Sequence, residues 1–257
     1  MRRHICLPLT LALTLTLAAV NGVFAAGEDR NPLNHEIHDP DRPQPPVVDP
    51  GPAGPPVPAP SDAVVLFDGS GFDDWEAMDG SEAGWELVDG LMQVVPGAGD
   101  IRTRRTFGDI QLHVEFKTYP DSPGSGQSRS NSGVFIGPYE VQVLDSYENE
   151  TYPDGMNASI YGQYPPLVNA SRPPGEWQFY DIVYRAPEFD EDGEVARPAR
   201  LTVFHNNVLV QDNEELVGPT SHRQRQSYSP HGDVPIRLQD HRDDPIHFRN
   251  IWLRELN

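Results

Sequence analysis

Residues 110–119 read IQLHVEFKTY, and their alternation decides the fold class. In an extended chain Ile110, Leu112, Val114 and Phe116 point one way, while Gln111, His113, Glu115 and Lys117 point the other. A helix would scatter both sets around its axis. The stretch is therefore a strand with one face in a core and one toward water, as antiparallel sheets require. Similar runs recur at 64–67, 85–88, 91–95, 133–136, 139–144, 177–185, 200–205, 208–211, 235–241 and 246–253. Asp89-Gly90 and Asn206-Asn207 separate neighbouring runs and suit tight hairpins, where positive φ is needed. No long stretch carries helical periodicity. Many short strands without helices predict an all-β, two-sheet antiparallel sandwich or jelly roll.

Two strands carry polar groups beyond what a plain sandwich needs. In 130–146, SNSGVFIGPYEVQVLDS, Glu140 and Gln142 share one face while Val141 and Val143 share the other. In 235–255, PIRLQDHRDDPIHFRNIWLRE, Ile236 and Leu238 oppose Arg237, Gln239 and His241. An acid, two amides and an imidazole on sheet faces can form a polar floor for a polyhydroxy ligand. Two long connections interrupt the strands. Residues 121–129 are rich in Gly and Ser. Residues 146–176 carry Tyr147, Tyr152, Tyr161 and Tyr164, the composition of a binding rim.

Residues 1–26 read as a secretory signal peptide: Arg2 and Arg3, an apolar run at 7–20, then small residues at 23–26. That run is too short and wrongly flanked for a membrane span. The chain is thus expected to be exported, to the periplasm or beyond. Its single cysteine, Cys6, leaves with the signal. The next segment, 27–62, contains PQPPVVDPGPAGPPVPAP and few large apolar residues, and reads as a disordered, extended Pro-rich linker. Residues 63–257 then form one domain. The formal charge of -20, with Lys117 the sole lysine, argues against nucleic acid as a partner.

The motifs LFDGSGFDDW, GWELVDGLM, NSGVFI, YEVQVLDS, SIYG, PPGEWQFYDIVY, HNNVLVQD, PIRLQDH and FRNIWL follow one another in an order that resembles the bacterial 3-keto-disaccharide hydrolase domain family. The resemblance covers 63–257 and implies a concanavalin A-like jelly roll. It departs at Asn206-Asn207, where the family has Asn-Gly, and at two insertions, 188–197 and 218–233, the second with His222 and His231. It implies cleavage of glycosides already oxidised at C3 by a separate oxidoreductase. A C3 carbonyl acidifies the C2 hydrogen and puts the C1 oxygen in the β position, so a base, an enolate stabiliser and an acid suffice.

Glu140 and His241 are the candidates for base and acid. Gln142 and Gln239 suit hydroxyl recognition. Asp145 caps a turn or reaches the rim. Arg249 polarises the ketone or serves as a structural ion pair. Tyr161, Tyr147 and Trp177 offer stacking faces, with Trp177 and Trp252 alternatively in the core. His222 and His231 read as solvent-facing loop residues. No cofactor is demanded. A divalent metal on His241 with Asp240 or Asp243 is an alternative whose spacing matches no strong ligand pattern. The sequons at Asn149, Asn157 and Asn169 would stay bare in a bacterium. A non-catalytic, lectin-like module on the same fold is the second reading.

Overall fold

The computed structural model describes residues 29–241 and 245–256. The signal-peptide reading, Cys6 and Asp243 lie outside them. The chain folds as the expected all-β jelly-roll sandwich of two antiparallel sheets. Ile110–Lys117 lies in the interior of the larger sheet. That sheet runs Val208–Glu215, Arg200–His205, Gln178–Arg185, Ile110–Lys117, His247–Glu255, Leu91–Gln93, Glu86–Val88, with Val64–Phe67 paired along His247–Glu255. The smaller sheet runs Trp75–Ala77, Ile101–Thr103, Ile236–Leu238, Asn131–Ile136, Tyr139–Leu144. Among the described residues the only helical segments are the 3-10 turns Pro32–Asn34, Gly126–Ser128 and Pro153–Gly155. None is long and apolar enough to cross a membrane.

The core follows from the alternation. Ile110, Leu112, Val114 and Phe116 of one sheet and Val134, Ile136, Tyr139, Val141, Val143, Ile236 and Leu238 of the other are buried in a single cluster. Each buried large apolar side chain contributes roughly 1.5–3 kcal/mol. The same burial pins the register, because a one-residue slip would turn Glu140 and Gln142 into the core. Both expected hairpins form, with Asp89 and Gly90 at φ 52 and 75 and Asn206 and Asn207 at φ 53 and 67. The short strands Trp75–Ala77 and Ile101–Thr103 were not foreseen. Three residues are too few to show a period, and Trp75 is anchored by its indole N–H to the Leu66 carbonyl, 2.8 Å. The acidic insertion forms a hairpin, Glu188–Phe189 with Val195–Arg197.

The Pro-rich segment differs from its expectation. Residues 29–62 lie along the domain rather than standing off it as a disordered tether. Arg30 reaches Glu214 at 2.6 Å. The Val48 amide donates to the Asn169 carbonyl, 3.0 Å, beside a bridge between Val47 and Asn169. Arg172 Nε donates to the Gly51 carbonyl at 2.9 Å, and Arg254 meets Asp62 at 2.7 Å. Composition predicts little apolar burial here, and correctly so. The docking instead uses backbone carbonyls and ion pairs, and a proline-stiffened chain loses little entropy on binding.

The docked segment also explains a second difference. His113 and Glu115, expected on a solvated face, are buried. His113 Nδ1 lies 2.8 Å from Asp181 Oδ1, and its ring stacks on Trp252 at 4.8 Å. Glu115 accepts from the Val57 amide at 2.8 Å, from Asn250 at 2.7 Å and from Arg249 at 2.6 Å. Asn250 also donates to the Val57 carbonyl, 2.8 Å, so one residue of the segment is held by both backbone groups.

Candidate active site

The outer face of the smaller sheet floors a cleft of about 530 Å³. Alternation decides which residues line it. From Asn131–Ile136 come Asn131 and Phe135; from Tyr139–Leu144 come Glu140 and Gln142; beyond Ile236 come Arg237, Gln239 and His241. Cross-strand register sets Glu140 opposite Phe135, Gln142 opposite Gly133, and Arg237 on the other flank of Phe135. Tyr152 and Tyr161 of the 146–176 connection complete the wall, with Thr220, Ser221 and His222 of the second insertion. The structure thus brings Glu140, Gln142, Gln239, His241 and Tyr161 to one cleft.

Glu140 is 6% exposed, and its carboxylate accepts no hydrogen bond from the described residues. Burial pushes its pKa up to about 8; Arg237 opposes this and Asp100 adds to it. Its backbone is pinned, since its amide donates to Thr220 Oγ1 at 3.1 Å. Room for the carboxyl comes from Gly133. A methyl group there would stand 2.5 Å from Glu140 Oε1 and 2.7 Å from Phe135 Cε2. Arg237 stacks over the Phe135 ring, 3.5 Å to the centroid, and pairs with Asp100. Asp100 also accepts from the Asp240 amide, 3.0 Å.

The amides are preset. Gln142 Nε2 donates to Asn131 Oδ1 at 2.9 Å, and Asn131 donates to the Gln127 carbonyl at 2.9 Å. No described residue donates to Gln142 Oε1, which leaves that oxygen for a ligand hydroxyl. For Gln239 it is the backbone that is held, its main-chain N–H donating to the Gly133 carbonyl at 3.1 Å. On the wall, Tyr152 and Tyr161 hydroxyls are 3.2 Å apart, and the Tyr161 hydroxyl lies 3.0 Å from His222 Nδ1. Burial raises both phenol pKa values, so they stay neutral donors. Burial, then the neighbouring His38 and Arg223, lowers that of His222.

Four expected site residues lie elsewhere. Trp177 and Arg249 flank a separate hollow of about 210 Å³ on the outer face of the larger sheet, with Glu115 and the Pro-rich segment. Arg249 is the structural ion pair there, 2.6 Å from Glu115 and 3.8 Å over the Trp177 ring. The hydrophobic core separates that face from the cleft, which alternation within one strand cannot reveal. Asp145 is buried at the strand end, paired with Arg129 at 2.7 Å and accepting from the Tyr147 amide at 3.2 Å. It caps the turn and does not line the cleft. Tyr147 does not line it either. His222, read as a solvent residue, stands at the cleft rim, and His231 Nε2 lies 3.0 Å from the Tyr139 hydroxyl. Asp240, one suggested metal ligand, spends Oδ2 on the amides of Gly97 and Gly99, 2.8 and 2.9 Å. No group of three His, Cys, Asp or Glu suited to a metal occurs among the described residues.

A family model described as a 3-keto-alpha-glucoside-1,2-lyase-like domain matches residues 62–254. A proposed glycosyl hydrolase of known crystal structure from Parabacteroides distasonis is 46% identical, with a TM-score of 0.75 over 77% of this chain and 85% of its own. Two more proposed glycosyl hydrolases from that organism, 20% and 22% identical, share the fold. Their TM-scores are 0.56 and 0.53, each over 76% of this chain and over 94% and 99% of their own. No curated protein matches the chain.

Proposed function

We propose that this chain, which belongs to the 3-keto-alpha-glucoside-1,2-lyase-like family, is an exported enzyme that cleaves 3-keto-glycosides by C2 proton removal and elimination. The observation that carries the reading is Glu140, a carboxyl buried in a polar cleft without a hydrogen-bond donor among the described residues, where burial pushes its pKa up to about 8. A structural carboxyl would be paired; this one is kept basic in its charged form.

Ionised Glu140 takes the C2 proton, and the C2–H electrons form an enolate on the C3 oxygen. Arg237 and the side-chain amide of Gln239 offer donors in the cleft for that oxygen, and Gln142 Oε1 accepts from a sugar hydroxyl. The enolate collapses to expel the C1 oxygen, giving a C1–C2 double bond. His241 gives the departing oxygen its proton. Addition of water across the double bond yields net hydrolysis; without water the enzyme acts as a lyase. Tyr152 and Tyr161 offer hydroxyls and ring faces to the sugar. The substrate must come from a reaction that oxidises a glycoside at C3.

Incubation with a chemically prepared 3-keto-glucoside in deuterated water tests this. Release of the aglycone is expected, with loss of the C2 hydrogen and none from the unoxidised glucoside. A lectin-like module would bind the sugar without releasing the aglycone. Equal turnover of the unoxidised glycoside, with the C2 hydrogen retained, would overturn the mechanism. Export is checked by N-terminal sequencing of secreted protein, expected to start near residue 27.

A further inference from the structure

The wall of the cleft rests on a residue outside the matched domain. His38, in the Pro-rich segment, is 8% exposed. Its ring stacks on Tyr152 with centroids 3.9 Å apart and lies 4.9 Å from Tyr161 and 5.3 Å from His222. Tyr152, Tyr161 and His222 line the cleft; His38 stands behind them. Asp154 braces it twice. Asp154 Oδ2 accepts from the His38 amide at 2.9 Å, and Oδ1 lies 3.1 Å from Nδ1. His38 holds φ 62, a left-handed conformation that costs a non-glycine residue energy and persists where surroundings enforce it.

The surroundings do enforce it. Arg225 of the second insertion donates to the Pro32 and His35 carbonyls and, at 3.2 Å, to the Gly162 carbonyl. Gln44 donates to the Thr151 carbonyl at 2.7 Å. Gly162, whose φ of 70 favours glycine, lies against the segment, with Ile37 and His38 at van der Waals distance from where a β-carbon would stand. An inert leader would need none of these contacts to aromatic residues of the cleft.

We propose that the Pro-rich segment is a working part of the site, and that His38 is a positioning residue. Braced by Asp154, its ring fixes Tyr152 and, through the chain Tyr152–Tyr161–His222, the sugar-facing wall. The kinetic consequence rests on the function proposed above; the structural one does not.

The test uses the full mature chain. In His38→Ala, the NMR titration of the His222 imidazole should move upward, because the neighbouring imidazole and the burial it maintains are lost. KM for a 3-keto-glucoside should rise about tenfold with kcat changed less than about threefold, as expected when ground-state and transition-state binding fall together. His38→Phe keeps the ring stack without the Asp154 contact and should fall between. Val47→Ala, at an exposed position of the same segment, should leave both quantities unchanged. A folded His38→Ala with the wild-type His222 titration and KM would overturn the proposal. Should that variant not fold, Asp154→Asn removes the bracing charge and is read by the same two measurements. If the wild type fails to turn over the keto-glucoside, the proposed reaction falls, and the His222 titration still decides the role of His38.

Discussion

Glu115 and Glu140 sit on the outer faces of opposite sheets, 3% and 6% exposed, and burial has opposite results for them. Burial also pushes Glu115 upward, but hydrogen bonds from His113, Asn250, Val57 and Arg249 outweigh it and hold its pKa at about 2. Glu140 has Arg237 near but no donor on its oxygens among the described residues, and titrates at about 8. The first carboxylate fastens the Pro-rich segment to the sandwich. The second is left without such partners, at a cost in stability that the proposed role as base would account for. Depth of burial alone therefore does not set a carboxyl's pKa; the supply of donors does.

The contrast breaks first at the rate. Glu140→Gln should lower kcat for a 3-keto-glucoside by about a hundredfold or more, the usual worth of a positioned proton-transfer group, with KM little changed. Wild-type turnover by this variant would assign the base elsewhere. The pH profile sharpens the role. If Glu140 acts ionised, kcat/KM should climb roughly tenfold per unit below about 8 and level above it. A profile falling through that pH would make Glu140 the acid instead.

The two residues should also tilt stability in opposite directions. Glu140 is raised from 4.5 to about 8, so the folded state holds the extra proton between those values. Its contribution becomes more unfavourable as pH rises from 4.5 and is fully unfavourable above about 8, on the order of a few kcal/mol. Glu140→Gln should then melt higher than wild type at pH 9, by about 5 °C or more. Glu115 is lowered from 4.5 to about 2, so its stabilisation is present above 4.5 and is lost as pH falls through 2. Glu115→Gln should lose about 1–3 kcal/mol in urea melts at pH 7 while kcat stays near wild type. The smallest effect is expected at Trp177. Trp177→Ala should leave KM within about twofold, since that ring belongs to the hollow beside Glu115. A large rise would return Trp177 to the sugar site.

The period of two made much of this legible. It placed Glu140 with Gln142 on one face of their strand and Arg237, Gln239 and His241 on one face of theirs, and the same reading of NSGVFI would have added Asn131 and Phe135. It could not assign sheets, so Arg249 and Trp177 were grouped with residues from which the core separates them. The Pro-rich segment was misread for a different reason. Composition counts side chains, whereas Gly51, Pro52 and Val57 dock through their carbonyls and amides. His222 and Thr220 lie in an insertion without a pattern. Their places depend on Thr220 meeting the Pro138 carbonyl, 3.0 Å, a contact no local signal announces.

The vacancy at Gly133 has a consequence for how this protein can change. Every other amino acid carries a β-carbon, so no exchange at position 133 leaves the Glu140 carboxyl where it stands. The clash falls on the free end of a flexible side chain and on one ring edge, not on backbone. The sandwich would therefore survive an alanine there, while the carboxyl would be displaced from its seat. A screen for expressed, folded protein would score such a variant as neutral, and a screen for turnover would score it as lost. If Glu140 is the base proposed above, position 133 is thus a place where fitness for folding and fitness for catalysis come apart by a single methyl group.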